Sequence, residues 1–133
     1  ALLVDDELGA GREDLRDLDT YQEAFRVLDA TPNQLLAVAE LDSAVVGTLQ
    51  LSFLPGLSRR GAWRAQVEAV RVAGPLRGQS IGREMMDWAI AEARAHGCTL
   101  VQLTSHHTRE RAHRFYERLG FEASHVGMKL PLG

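Results

Sequence analysis

The spacing of apolar residues along the chain switches between three-or-four and two, and each switch marks an element. Leu18, Tyr21, Phe25 and Leu28 recur at three and four, which predicts an amphipathic helix over 17–29, with Asp17 or Asp19 as N-cap and Pro32 beyond its end. Two apolar, β-branched runs follow, QLLAVAEL and AVVGTLQLSFL, separated only by Asp42-Ser43, so a hairpin is expected. The stretch LPGLSRRG reads as a turn between strands. Next, RAQVEAVRVA predicts a third strand, in which Ala65, Val67, Ala69 and Arg71 alternate with Gln66, Glu68, Val70 and Val72. From Ile81 the spacing turns helical again: Ile81, Met85, Met86, Ala89, Ile90 and Ala93 lie on one side, Arg83, Glu84, Asp87 and Arg94 on the other. Gly97 ends that helix. CTLVQLTS then reads as a strand, TRERAHRFYERLG as a helix closed by Gly120, and FEASHVGMKLPL as a last strand bent at Gly127. The order helix, three strands, helix, strand, helix, strand places the chain in the α/β (α+β) class.

Composition narrows what such a domain does. At 133 residues the chain is expected to be one domain, residues 1–133, large enough for a core without metals or disulfides. No stretch approaches the roughly 20 apolar residues of a membrane span, so no membrane partner is expected. Fifteen Lys plus Arg against eighteen Asp plus Glu give a net charge of −3. That balance argues against a nucleic-acid partner, although arginines gather from Arg59 to Arg83 and from Arg109 to Arg118. Cys98 is the only cysteine, which excludes an intramolecular disulfide and a multi-cysteine metal site. With no secretory signal ahead of the domain, a cytoplasmic location is expected. Cys98 has no His or Lys beside it in sequence, so it reads as structural rather than nucleophilic, and Met85 and Met86 read as packing.

Candidate chemistry gathers at VRVAGPLRGQSIGREMMDW, a stiff basic loop between a strand and a helix. A helix N-terminus exposes unpaired N–H groups and the positive end of the peptide dipole, so phosphate can sit there. Gly78 and Gly82 give the backbone room, Arg77 and Arg83 add charge, and Pro75 stiffens the entry. The phosphate-loop signature would need Lys followed by Ser or Thr, and the dinucleotide fingerprint needs three glycines at another spacing; both fail on residues. Ser80, a favoured N-cap residue, is expected to start the helix with its side-chain oxygen at negative φ. The loop Arg59, Arg60, Trp63 and Arg64 reads as a solvated turn that would also suit an acidic substrate.

VRVAGPLRGQSIGREMM resembles the acetyl-CoA-binding motif of the GNAT acetyltransferase superfamily, Arg or Gln, two residues, Gly, any residue, then Gly or Ala. Arg77 and Gly82 match its ends, and Ser80 replaces its first glycine. AHRFYERLGF, residues 112–121, is similar to the aromatic-Tyr-Glu-basic-x-Gly-Phe stretch of the same superfamily. The resemblance covers Gln34 to Leu130, and the family's first strand is not evident upstream. It implies a GNAT fold, a central mixed, mostly antiparallel sheet splayed at the CoA site and flanked by helices. It further implies acetyl-CoA as cosubstrate, no metal, direct attack on the thioester without an acyl-enzyme, a small-molecule amine as acceptor, and a homodimer as a permitted assembly.

The resemblance also distributes roles. Tyr116 matches the general acid, its ordinary pKa of about 10 keeping it protonated at neutral pH. Glu68 stands where some members place the base that takes the amine's proton. The backbone of Val70, Arg71 and Val72 would bind the pantetheine arm. Arg77, Gly78, Gln79, Ser80, Ile81, Gly82 and Arg83 would hold the pyrophosphate, with His106 and His113 also near CoA. Packing competes as a reading for His113, and His125 is left without a role. AHRFY with a later Ser-His also resembles the aminoalkylphosphonate acetyltransferase branch. Alternatives are a protein acetyltransferase acting on Lys or an N-terminus, a non-catalytic acyl-CoA-binding regulator and, least favoured, a nucleic-acid module.

Overall fold

The computed structural model describes residues 2, 11, 13, 14, 16–78 and 80–133. They fall into two compact units, one ending at Gln102 and one running from Leu103 to Gly133. The first opens with helix α1, Leu18–Ala30, capped by Asp17, whose carboxylate accepts from the Thr20 N–H at 3.4 Å. The expected amphipathic pattern is present, yet no residue of α1 is buried; Leu18 and Phe25 stay exposed.

Strands β1, Gln34–Leu41, and β2, Ala44–Leu54, form the expected antiparallel hairpin. Its turn puts Asp42 and Ser43 at φ 50° and 65°, the mirror-image geometry that matches strand twist and that Asp and Asn tolerate best among non-glycine residues. A turn at Ser58–Gly61, with Arg59 and Arg60 left-handed, leads into β3, Trp63–Val72. Trp63, expected in the loop, therefore begins the strand, one residue ahead of its expected start at Arg64. Helix α2, Ile81–Ala95, connects β3 to β4, Cys98–Leu103, and the sheet order is β1-β2-β3-β4. Thr99 bonds the Trp63 carbonyl and Gln102 bonds Gln66. The equal offset of these two pairs makes β3 and β4 parallel, so the sheet is mixed and mostly antiparallel, as expected.

One face of the sheet is the core. Leu49, Leu51 and Phe53 of β2, and Ala65 and Val67 of β3, are buried with Met85, Met86, Ala89 and Ala93 of α2. Gly47 admits the helix: a Cβ there would lie 2.6 Å from the Met85 sulfur. Gly97, at φ 76°, turns the chain out of α2.

The second unit holds helix α3, Glu110–Arg118, ended by Gly120 at φ 102°. The expected last strand is absent: among the described residues, 121–133 are neither strand nor helix. Apolar alternation specifies which face a strand buries but supplies no ladder partner, and a strand exists only when paired.

Candidate functional site

The alternation expected in β3 breaks at Ala69. Opposite β2, Gln66 faces Ser52, Val67 faces Leu51 and Glu68 faces Gln50, but Arg71 then faces Thr48 and Val72 faces Gly47. Two residues, Ala69 and Val70, therefore stand against Leu49 alone. This is a β-bulge, and Ala69 takes the left-handed position, φ 53°, that glycine usually fills. One extra residue exchanges the faces of everything after it. Arg71, which simple alternation would put beside Val67, turns instead to the polar face with Glu68, and Val72 takes the core side. Arg71 is 8% exposed, and its Nη1 donates to the Val70 carbonyl at 2.9 Å, bracing the bulge.

That polar face carries two hydrogen-bonded groups of side chains. The Gln34 side-chain oxygen accepts from Ser52 Oγ at 2.8 Å and from Gln50 Nε2 at 3.2 Å. Across the next strands Gln102 Nε2 donates to Gln66 Oε1 at 2.9 Å, and Gln66 Nε2 donates to Glu68 Oε1. An ionised carboxylate only accepts, so Glu68 fixes which end of the Gln66 amide faces it, and thereby the end that Gln102 meets. Glu68 is exposed, with one oxygen engaged by Gln66.

Beyond β3 the ladder runs one bond further, Ala73 N–H to the Val46 carbonyl, before a 3-10 turn at Gly74–Leu76. Arg77 and Gly78 are exposed; Gly78 has φ 83°, and a Cβ there would meet no heavy atom within 4 Å. Gln79 lies outside the described residues. Ser80 departs from expectation: its φ is 68°, and its side chain makes no capping bond. The loop needs a left-handed residue where the family motif has glycine, and Ser80 adopts that shape rather than the extended geometry of a side-chain cap. No Ser80 side chain thus occupies the first-turn N–H groups, and the first helical bond runs from Glu84 N–H to the Ser80 carbonyl at 3.0 Å. Ile81 and Gly82 open the helix, while Arg83 pairs loosely with Asp87 at 4.0 Å.

In the second unit His113 Nε2 meets the His106 carbonyl at 2.8 Å, tying α3 to the loop before it. His106 also bonds Thr108 through Nδ1 at 2.7 Å and stacks on His107. Tyr116 is half-buried between the edges of Phe115 and Phe121, with centroids 5.2 and 5.8 Å away. Burial pushes the Cys98 thiol above its ordinary pKa, away from the thiolate a nucleophile needs. Among the described residues no three of His, Cys, Asp and Glu gather to hold a metal. No helix among them is long and apolar enough to cross a membrane. A groove of about 500 Å³ between β1 and α2 is lined by apolar groups such as Leu35, Val38, Met85 and Trp88, and among the described residues Glu40 and Glu84 are the charged groups that line it.

Residues 3–121 match the model of the acetyltransferase (GNAT) family. The chain belongs to the GNAT acetyltransferase family. It is an acyltransferase of a family that uses acetyl-CoA as cosubstrate. Over 109 residues this GNAT chain is 33% identical to the aminoalkylphosphonate N-acetyltransferase of Salmonella typhimurium, covering 82% of this chain and 70% of that protein. A crystal structure from Bacillus halodurans, described as a transcriptional regulator, superposes with a TM-score of 0.94 at 43% identity, covering 98% of this chain and 89% of that one. An acetyltransferase from Trypanosoma brucei gives 0.69 at 26% identity, covering 90% and 81%. The bulge at Ala69 and the left-handed Ser80 are what sequence reading missed. Both positions are ones where glycine is usual and this chain carries a side chain, so the customary signal was absent.

Proposed function

We propose that this chain transfers an acetyl group from acetyl-CoA directly to the primary amine of a small molecule. The observation that carries the reading is the β3 bulge, which holds Glu68 and Val70 on either side of a left-handed Ala69 while the same strand leads into the open turn at Gly78. Bulges re-aim groups beside active sites, and strained backbone concentrates there. The fit to a CoA pyrophosphate rests on the loop: Gly78 leaves its surroundings open, no Ser80 side chain caps the helix, and Arg77 and Arg83 supply charge.

Glu68 takes a proton from the ammonium or the attacking amine, with Gln66 on one carboxylate oxygen and the other available to the acceptor. The Val70 N–H donates to the carbonyl oxygen as negative charge develops on it. The carbon–nitrogen bond forms and the carbon–sulfur bond breaks, and Tyr116 gives its phenolic proton to the departing thiolate. Arg71 and Val72 continue the backbone beside the pantetheine arm, and His106 and His113 belong to the cofactor side by the same resemblance. The name of the Salmonella relative favours an acceptor that carries an anion as well as an amine. A cytoplasmic location accompanies this reading, on the strength of the lone cysteine.

One observation favours a second reading. The 43%-identical relative is described as a transcriptional regulator, which suits an acyl-CoA-binding protein without turnover. Thiol release with a panel of amines, amino acids, aminophosphonates and peptides separates the two. Acetyl-CoA should raise the melting temperature in either case, by linkage. Release above background with a small amine is expected, and Tyr116→Phe should lower kcat far more than acetyl-CoA affinity. Release with peptides alone would replace the acceptor class, and a melting-temperature gain without any release would favour the regulator.

A further inference from the structure

Gln50 and Glu68 stand directly opposite each other on the polar face of the β2–β3 pair. Residues so paired carry their Cβ atoms roughly 4.5–5.5 Å apart on one face of the sheet. Gln50 is half-buried and Glu68 exposed, so the space between their side chains is reached from solvent. Which atoms they turn to that space follows from their neighbours.

The Gln50 amide is fixed from β1. Ser52 is buried, and its hydroxyl must place a proton; the acceptor it reaches is Gln34 Oε1, at 2.8 Å. Gln34 therefore turns its oxygen to β2, and Gln50 meets that oxygen as a donor, through Nε2 at 3.2 Å. This leaves Gln50 Oε1 open. Glu68 is fixed from the other side: Gln66 Nε2 donates to its Oε1, and Gln102 Nε2 donates to Gln66 Oε1 at 2.9 Å. Glu68 Oε2 is left open as well. Among the described residues no donor meets either oxygen.

Two anchored acceptors, one of them charged, face each other with nothing to accept from. The group that suits them is a cation made only of donors. A primary amine at neutral pH is such a group, an ammonium with three N–H donors and no acceptor. We propose that Gln50 Oε1 and Glu68 Oε2 together seat the acceptor substrate as its primary ammonium, and that Gln50 is the residue that selects for N–H donors. The seat rests on the acetyl transfer proposed above and supplies its recognition step. One ammonium proton passes to the Glu68 carboxylate, leaving a carboxylic acid and a neutral amine. Gln50 accepts from the nitrogen before and after that transfer, so the amine stays held while its lone pair turns to the acetyl carbon. A second carboxylate in place of Gln50 would stabilise the ammonium itself and hold the proton back.

The test uses the full chain. Its probe is the fastest amine of the thiol-release panel, or 2-aminoethylphosphonate where none is acetylated, beside the trimethylammonium counterpart, which keeps the charge and has no N–H. With CoA bound, the wild type should bind the amine at least about 100-fold more tightly than the counterpart by calorimetry. Gln50→Met keeps the bulk and removes the acceptor. It should cut that preference by about ten-fold or more and raise the amine KM by the same factor, with the acetyl-CoA KM and the melting temperature unchanged. Gln50→Glu keeps an acceptor and adds charge, so the amine KM should hold or fall while kcat drops. A wild type that binds both probes alike overturns the proposal, as does a folded Gln50→Met chain that keeps the wild-type preference. A Gln50→Met loss that extends equally to acetyl-CoA also overturns it, since that marks a strand loosened as a whole. Where Gln50→Met fails to fold, a raised amine KM in Gln50→Glu does the same. A preference that Gln50→Met removes, without thiol release from any amine, would sink the transfer and leave the seat. Transfer that is indifferent to Gln50→Met would sink the seat and leave the transfer.

Discussion

The two faces of β3 obey different rules. Towards α2, Ala65 and Val67 lie buried opposite Phe53 and Leu51, and period two alone assigns them. Away from α2, Gln66 and Glu68 form a polar row that Arg71 joins because the bulge at Ala69 turns it over. The core face depends on unbroken alternation, and the candidate site depends on where alternation breaks. Loss on the first face should therefore appear as stability, and loss on the second as rate.

Glu68→Gln breaks that contrast most sharply. Removing a general base costs on the order of 10²–10⁴ in rate. The side chain is exposed and its replacement keeps a hydrogen-bonding oxygen for Gln66, so the melting temperature should move little. Steady-state kinetics beside a thermal melt checks both; a full rate with Glu68→Gln removes Glu68 from the mechanism. Leu51→Ala is the counterpart. Leu51 has no exposed surface, and truncating a fully buried leucine costs about 2–5 kcal/mol. Urea titration should show a lower midpoint while the folded fraction keeps its turnover. A site that fails with the protein still folded would join the two faces into one.

Gly47→Ala tests the boundary between them. Gly47 sits opposite Val72, just past the bulge, and an added Cβ would meet the Met85 sulfur at 2.6 Å and the Arg71 carbonyl at 3.2 Å. The methionine can swing away, but the carbonyl belongs to the bulge. Overpacking of this kind costs roughly 1–3 kcal/mol. Because it presses on the strand that carries Glu68 and Val70, the variant should lose rate beyond its loss of folded protein. Equal losses in both would show that the bulge does not transmit the strain.

What was legible in the sequence follows the same division. The helix Ile81–Ala95 announced itself through Met85, Met86, Ala89 and Ala93 at helical spacing and through Gly97 beyond its end. The Asp42-Ser43 turn was equally plain, since those residues alone separate one apolar run from the next. The loop, too, stood out by its glycines and arginines. The bulge was illegible because its left-handed residue is Ala69 rather than glycine, and Arg71 was consequently assigned to the wrong face. The tail from Phe121 showed the alternation of a strand, which says which face its side chains would bury and supplies no ladder partner.

Ser80→Gly carries the smallest effect and bears on the second of the two disguised glycine positions. A left-handed backbone costs a residue with a Cβ roughly 1–2 kcal/mol, and glycine gives back about 0.5–1 kcal/mol through the greater freedom of its unfolded chain. The net gain should be a few tenths to about 1 kcal/mol, read as a higher urea midpoint. Since the Ser80 hydroxyl makes no capping bond, acetyl-CoA affinity should stay within a few-fold by calorimetry. A hundredfold loss of affinity would mean that the hydroxyl binds the cosubstrate and that the serine is kept for that contact. A gain in stability with affinity intact would mean that the loop requires only the shape, which glycine supplies without strain.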